Sequence, residues 1–190
     1  MKKFFVSLLV ALCGVVPLFA DDAEEIRALL IKDLELGVHG DFMGTLALRT
    51  PDFVETTELG TFTIEHTRWM ALSLDGKHPE EFLLLSAAVV NRGALTPEMM
   101  ARIREAARDP SFLQEYAKII PGLFANIKSD AALQLKTLKI IGVKVDGDSA
   151  IAVVEYDDKI PKGIRHRSGT ISLRKVNGTW MFYRSVSKNK

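Results

Sequence analysis

The chain has 190 residues, 47% of them hydrophobic and 26% charged, with a formal charge of +1. That length suffices for one well-buried core and is short for two, and the near-neutral charge gives no global basis for binding nucleic acid. The sole cysteine, Cys13, lies in the apolar start of the chain, so beyond it disulfides, a thiol nucleophile and a thiolate metal site are all excluded.

Lys2 and Lys3, the run FFVSLLVALCGVVPLF, and Ala20 before the acidic DDAEE have the layout of a secretory leader. Residues 1–20 are expected to be removed, which puts the remaining domain, 21–190, in the periplasm or outside the cell, with no stable membrane insertion afterwards. Leu18, three residues before the cut, is larger than the preferred small residue, so an uncleaved anchor is the alternative. Pro17 argues against that anchor, because it interrupts a run already short for a span. Leu12, also not small, argues against lipid attachment at Cys13.

Residues 22–37 read as a helix. Acids crowd its first turn, and Ile26, Leu29, Leu30 and Leu34 recur at helical spacing, with Asp33 inside the same stripe. Phe53-Val54 and Thr61-Phe62-Thr63 flank a turn at Leu59-Gly60 and predict a short hairpin, after which Thr63 caps a helix through Trp69 and Leu72. Residues 78–128 read as helical. Thr96-Pro97-Glu98 is a helix start, and a break is expected at Pro121-Gly122. Met99, Met100, Ile103 and Ala106 read as packing residues.

From Leu135 onward the pattern turns to strand. LKIIGVKV and SAIAVVEY flank Asp146-Gly147, and RSGTISLRKV and TWMFYRSV flank Asn177-Gly178, the residue pair that a two-residue hairpin turn favours. With a longer loop expected at DDKIPKGIRH, this is a four-strand antiparallel meander, and helices followed by such a sheet argue α+β. Ala150, Ala152, Val154 and Tyr156 share one face of their strand. Ile151 and Val153 share the other, which then needs separate cover, such as a second copy of the chain.

Charge is uneven. Residues 21–60 hold ten acids against three bases, and from Lys159 onward there are nine bases and no acid. Either the two ends neutralise each other or the late strands present an anion-attracting face.

The helix, then TPDFVETTELGTFTIEHTRW, then GDSAIAVVEY and SGTISLRKVNGTWMFYRS, resembles the nuclear transport factor 2-like superfamily, which includes SnoaL-like polyketide cyclases and ketosteroid isomerases. The resemblance covers about 21–72 and 135–187 and leaves a helical insertion at about 77–130. It implies a cone: N-terminal helices packed on a curved antiparallel C-terminal sheet that encloses a pocket, and a homodimer through the outer sheet face. Family members bind small apolar molecules, transfer protons or act as adaptors. Isomerase members place a tyrosine on the first helix, and this first helix has none.

Asp33 is the candidate acid or base, because a carboxylate on an apolar stripe is desolvated. Tyr156, beside two alanines, is a candidate hydroxyl over a pocket. Arg167 shares strand parity with Ile171, and the simplest register at Asn177-Gly178 puts Arg184 opposite Ile171. Both guanidiniums are then expected to face the cone, to pair with Asp33 or bind a ligand carboxylate. Trp69 is read chiefly as packing and kept as a ligand-binding candidate. His39, His66, His78 and His166 lack metal-site spacing, no serine has a nucleophile context, and no phosphate loop appears, so no metal and no cofactor are expected.

The favoured expectation is an exported, non-catalytic domain that binds a small apolar or anionic molecule or a protein. That binder requires a cavity of roughly 300 Å³ or more. An isomerase or dehydratase is the alternative and requires Asp33, Tyr156 and Arg184 around one cavity. A purely structural interaction module would instead fill the cone with side chains.

Overall fold

The computed structural model describes residues 18–160 and 162–189. The expected leader, Cys13 included, lies outside these residues except for Leu18–Ala20, which open the first helix. Among the described residues no helix is long and apolar enough to cross a membrane.

Helix α1 (Leu18–His39) and the short α2 (Phe42–Ala47) precede strands β1 (Arg49–Thr57) and β2 (Gly60–Thr63). Three more helices follow, α3 (Ile64–Ser73), α4 (Pro79–Val90) and α5 (Pro97–Ala106), and then the long α6 (Pro110–Thr137). The chain closes through β3 (Lys139–Asp146), β4 (Ser149–Ile160), β5 (Gly163–Val176) and β6 (Thr179–Asn189). One six-stranded sheet results, in the order β2-β1-β6-β5-β4-β3. Every neighbouring pair is antiparallel except β1 with β6, which is parallel.

The apolar stripe of α1 seats Ile26 and Leu30 against Ala150, Ala152, Val154, Leu173 and Phe182 on the inner sheet face. Ala150 and Ala152 leave room for the helix to come close, and the alternation expected on β4 holds. The outer face leaves Ile141, Ile151, Val153 and Val186 exposed. At the start of α1, Asp22 accepts hydrogen bonds from Lys175 Nζ at 2.6 Å and Trp180 Nε1 at 3.0 Å. The terminal hairpin, with Asn177 and Gly178 both at positive φ, thereby presents Trp180 as an anchor for the first helix. Arg174 pairs with Asp52, and Arg165 and Arg167 pair with Glu58. Acids of the first third thus neutralise bases of the late strands, the first of the two expected outcomes.

The helical segment carries its own apolar clusters. Trp69, Leu84 and Ala88 form one, with Met100 and Ile103 packed against it. The chain enters this segment through a tight contact between Gly60 and the end of α4, where a Cβ on Gly93 would stand 2.0 Å from the Thr61 carbonyl oxygen.

Three expectations are corrected. No break occurs at Pro121-Gly122, and α6 runs through Pro121. Tyr116 and Ile120 on one side of that proline, with Leu123, Phe124 and Ile127 on the other, pack into the helical layer; this burial offsets the one backbone hydrogen bond that proline removes. Leu135 belongs to α6, and strand begins at Lys139. The loop expected at DDKIPKGIRH is mostly ladder, with Asp157 opposite His166 and Asp158 opposite Arg165. Oppositely charged cross-strand pairs hold it extended.

Candidate functional site

The inner face of the sheet, α1 and α6 enclose a cavity of about 190 Å³. Its apolar wall includes Leu30, Phe53, Val154, Ile171 and Phe182, and its polar wall is Asp33, Arg49, Glu55, Gln134, Tyr156 and Ser185. The volume is below the roughly 300 Å³ of an ordinary ligand pocket. It exceeds the roughly 150 Å³ of an apolar cavity that accommodates benzene, so the space suits a molecule of about one ring.

Asp33 and Tyr156 therefore share one cavity. Asp33 is paired. Arg49, at the start of β1, donates Nη1 to Asp33 Oδ1 at 2.9 Å and Nη2 to Oδ2 at 3.2 Å, and Nη1 also donates to the Thr45 carbonyl. The Phe53 and Phe182 rings lie 5.3 and 5.6 Å from the guanidinium carbon. Arg49 Nε is buried with no hydrogen-bond partner.

Glu55 is the carboxylate with the altered chemistry. Phe53 and Glu55 alternate onto the inner face of β1, where Glu55 stands beside Ser185 in the parallel pairing with β6. Burial pushes the Glu55 carboxyl above the ordinary carboxylate range; Arg49 pulls it back, Asp33 pushes it further and Arg167 pulls it back. Tyr156 is also raised, first by burial, so its hydroxyl keeps its proton and can donate. Arg167 and the contact with Ser187 oppose that shift, and the Glu55 and Asp158 charges add to it.

The remaining candidates lie elsewhere. Arg167 does face inward and is buried, but it is consumed by Asp158 at 3.2 Å and Glu58 at 3.1 Å and is not part of the cavity wall. Arg184 is on the outer face and exposed. The β5–β6 register slips by one residue between Ser172 and Leu173, so Arg184 pairs with Ser172 instead of Ile171. A bulge of one residue moves each later side chain to the opposite face. Trp69 packs with Leu84 and Ala88 in the helical segment, away from the cavity. The arrangement of Asp33, Tyr156 and Arg184 required by the enzyme alternative is thus not formed, and Arg49 occupies the place expected for Arg184. Among the described residues no cluster of three His, Cys, Asp or Glu could hold a metal ion.

The cone implied by the resemblance is present: helices on one face of a curved, mostly antiparallel sheet, with a hollow between them. No family model matches the chain, and no curated protein matches it. Similar solved structures include an NTF2-like protein with a cystatin-like fold from Novosphingobium aromaticivorans, 14% identical over 100% of this chain and 92% of that one, with a TM-score of 0.48. Another is an NTF2-like protein of unknown function from Shewanella oneidensis MR-1, 15% identical over 86% and 96%, with a TM-score of 0.47. A ketosteroid isomerase-like protein from Erwinia carotovora atroseptica is 13% identical over 90% and 98%, with a TM-score of 0.44.

Proposed function

We propose that this domain binds a compact, uncharged molecule of about one ring, bearing a carbonyl or hydroxyl group, in the cavity between α1, α6 and the sheet. The observation that carries the reading is the cavity wall itself: an apolar half facing a polar half whose cation, Arg49, already has its carboxylate. Arg49 is matched by Asp33, and burial raises the Glu55 carboxyl and so disfavours its charged form. What remains on offer is hydrogen bonding, from Glu55, Tyr156 and Ser185. An anionic ligand would have to displace Asp33 from Arg49.

Native mass spectrometry of the purified chain, followed by titration with phenol and benzyl alcohol under NMR, tests this. Shifts are expected at Tyr156, Ser185 and Ile171, with loss of binding in Ile171→Trp, which fills the cavity. Saturating phenol with no shift at these residues would overturn the reading.

Export belongs to the same proposal, on the strength of the leader-like start. N-terminal sequencing of the chain recovered from the cell envelope or medium should begin near Asp21. The exposed outer sheet face fits the homodimer expected from the sequence, which sedimentation of the purified chain would reveal.

A second reading has one specific support. A carboxyl raised by burial beside a protonated tyrosine hydroxyl suits proton transfer next to a carbonyl. On that reading Glu55, and not Asp33, is the base. Exchange of α-hydrogens of a cyclic ketone in D₂O, abolished by Glu55→Gln, would support it.

A further inference from the structure

A second hollow, of about 160 Å³, lies on the far side of the Asp33–Arg49 pair. Asp33, Leu34, Arg49 and Gln134 line both spaces, so this handful of side chains is a shared partition. The far walls of the second hollow come from Phe42 of α2, Met70 of α3 and Ile127 and Ala131 of α6. It is therefore bounded largely by helices, and part of α6 lies within the segment that the sequence marks as an insertion. The close crossing of α1 and α6 sets its floor, where a Cβ on Gly37 would stand 3.1 Å from that of Ala131.

Resting on the function proposed above, we infer that the two hollows form one site, gated by the Asp33–Arg49 pair, for an amphipathic molecule with a polar ring and a short apolar tail. The ring occupies the inner cavity and the tail the outer one. The chemistry of the partition favours this division of labour. Both partners of the pair are part-exposed, at 16% for Arg49 and 21% for Asp33, so the Asp33 carboxylate has water to turn into when the pair opens. Arg49 is steadied from elsewhere, by the Thr45 carbonyl and the two phenylalanine rings, so opening does not strand its charge. Beyond the pair the apolar surfaces met are Leu34, Phe42, Met70, Ile127 and Ala131, which suit an alkyl chain, while Thr45 and Asp130 also line the hollow and both Asp130 oxygens are taken, by Gln134 and by the Lys159 backbone N–H. The two volumes together reach the range of an ordinary ligand pocket, which neither reaches alone.

The test is a calorimetric titration of phenol and 4-alkylphenols from methyl to pentyl. In the wild-type chain affinity should climb about fourfold for each methylene that enters the second hollow. Ile127→Trp, which fills that hollow, should cut the ratio of pentylphenol to phenol affinity at least tenfold. Met70→Trp serves the same purpose if the first variant does not fold by circular dichroism. Asp33→Asn keeps the shape and removes the charge, and should speed association of the pentyl probe in stopped flow. Equal chain-length profiles in the wild type and the filled variant, or a wild-type affinity that falls beyond methyl, would overturn the two-hollow site. Unchanged association in Asp33→Asn would remove the gate. Failure of phenol itself to bind would sink the underlying functional reading instead, so the two failures are distinct.

Discussion

The inner sheet face has two charged ends, and they are treated in opposite ways. Around Asp158, carboxylates and guanidiniums interlock: Arg165 reaches Asp158 at 2.7 Å, Arg167 reaches it at 3.2 Å, and Glu58 joins both arginines. Glu58 also accepts from the Asn189 backbone N–H at 2.7 Å. Burial pushes the Asp158 carboxyl up, but the Arg165 hydrogen bonds and the charges of Arg165 and Arg167 prevail and hold it below the ordinary value. At the other end one pair, Asp33 with Arg49, is matched, Glu55 is not, and a cavity remains. The same residue types on the same sheet thus lock one end and leave the other able to accept a guest. What differs is whether each carboxylate has an arginine of its own.

Breaking the locked end should produce the largest effect. Arg167→Ala leaves Asp158 buried with half its partners and should cost about 3–5 kcal/mol of unfolding free energy, read by urea denaturation. If the loss were under about 1 kcal/mol, the lock would be no more than a surface ion pair. Arg49→Lys, at the open end, gives up the two-point grip on Asp33 and the ring contacts and should cost about 2 kcal/mol.

Smaller, and visible as a slope, is the pH response. The folded chain holds the Glu55 proton more tightly than the unfolded chain does. Its contribution to stability is therefore complete below the ordinary value of 4.5 and fades as pH rises through the folded value. Asp158 behaves in the reverse sense: its contribution is complete above 3.8 and is lost as pH falls through the depressed folded value. Relative to Glu55→Gln, the wild-type chain should lose stability as pH rises from 4.5. Relative to Asp158→Asn, it should lose stability below 3.8. Denaturation midpoints across this range read both, and parallel profiles would contradict the contrast. Arg184→Ala, outside both ends, should change stability by less than about 0.5 kcal/mol and leave phenol binding intact.

Much of the scaffold was legible because local chemistry and global fold agree. Asn177-Gly178 can hardly be anything but a tight turn, and Ala150, Ala152 and Val154 announce a face that a helix can approach. Asp33 was legible for the same reason, as a polar residue on an apolar stripe. Glu55 was overlooked although its signal was present, two residues beyond the buried Phe53 on the same strand and so on the same face. Arg49 carried no such signal, because what defines it is a partner sixteen positions earlier in the chain. Arg184 was misplaced because nothing in RSGTISLRKVNGTWMFYRS marks where the ladder slips. Arg167 was placed on the correct face, yet parity alone could not reveal that Asp158 and Glu58 would claim it. The ladder through Asp157–His166 was hidden by Pro161 and Gly163, which read as loop.

The parallel union of β1 with β6 carries a kinetic consequence. Val54 lies beside Arg184, so the strand that supplies Arg49, Phe53 and Glu55 can pair early with β2 but joins the rest of the sheet only once β6 has been made. Contacts so distant along the chain are closed late and slowly during folding. Until β6 is in place, the wall that Arg49, Phe53 and Glu55 give the cavity stays unfinished.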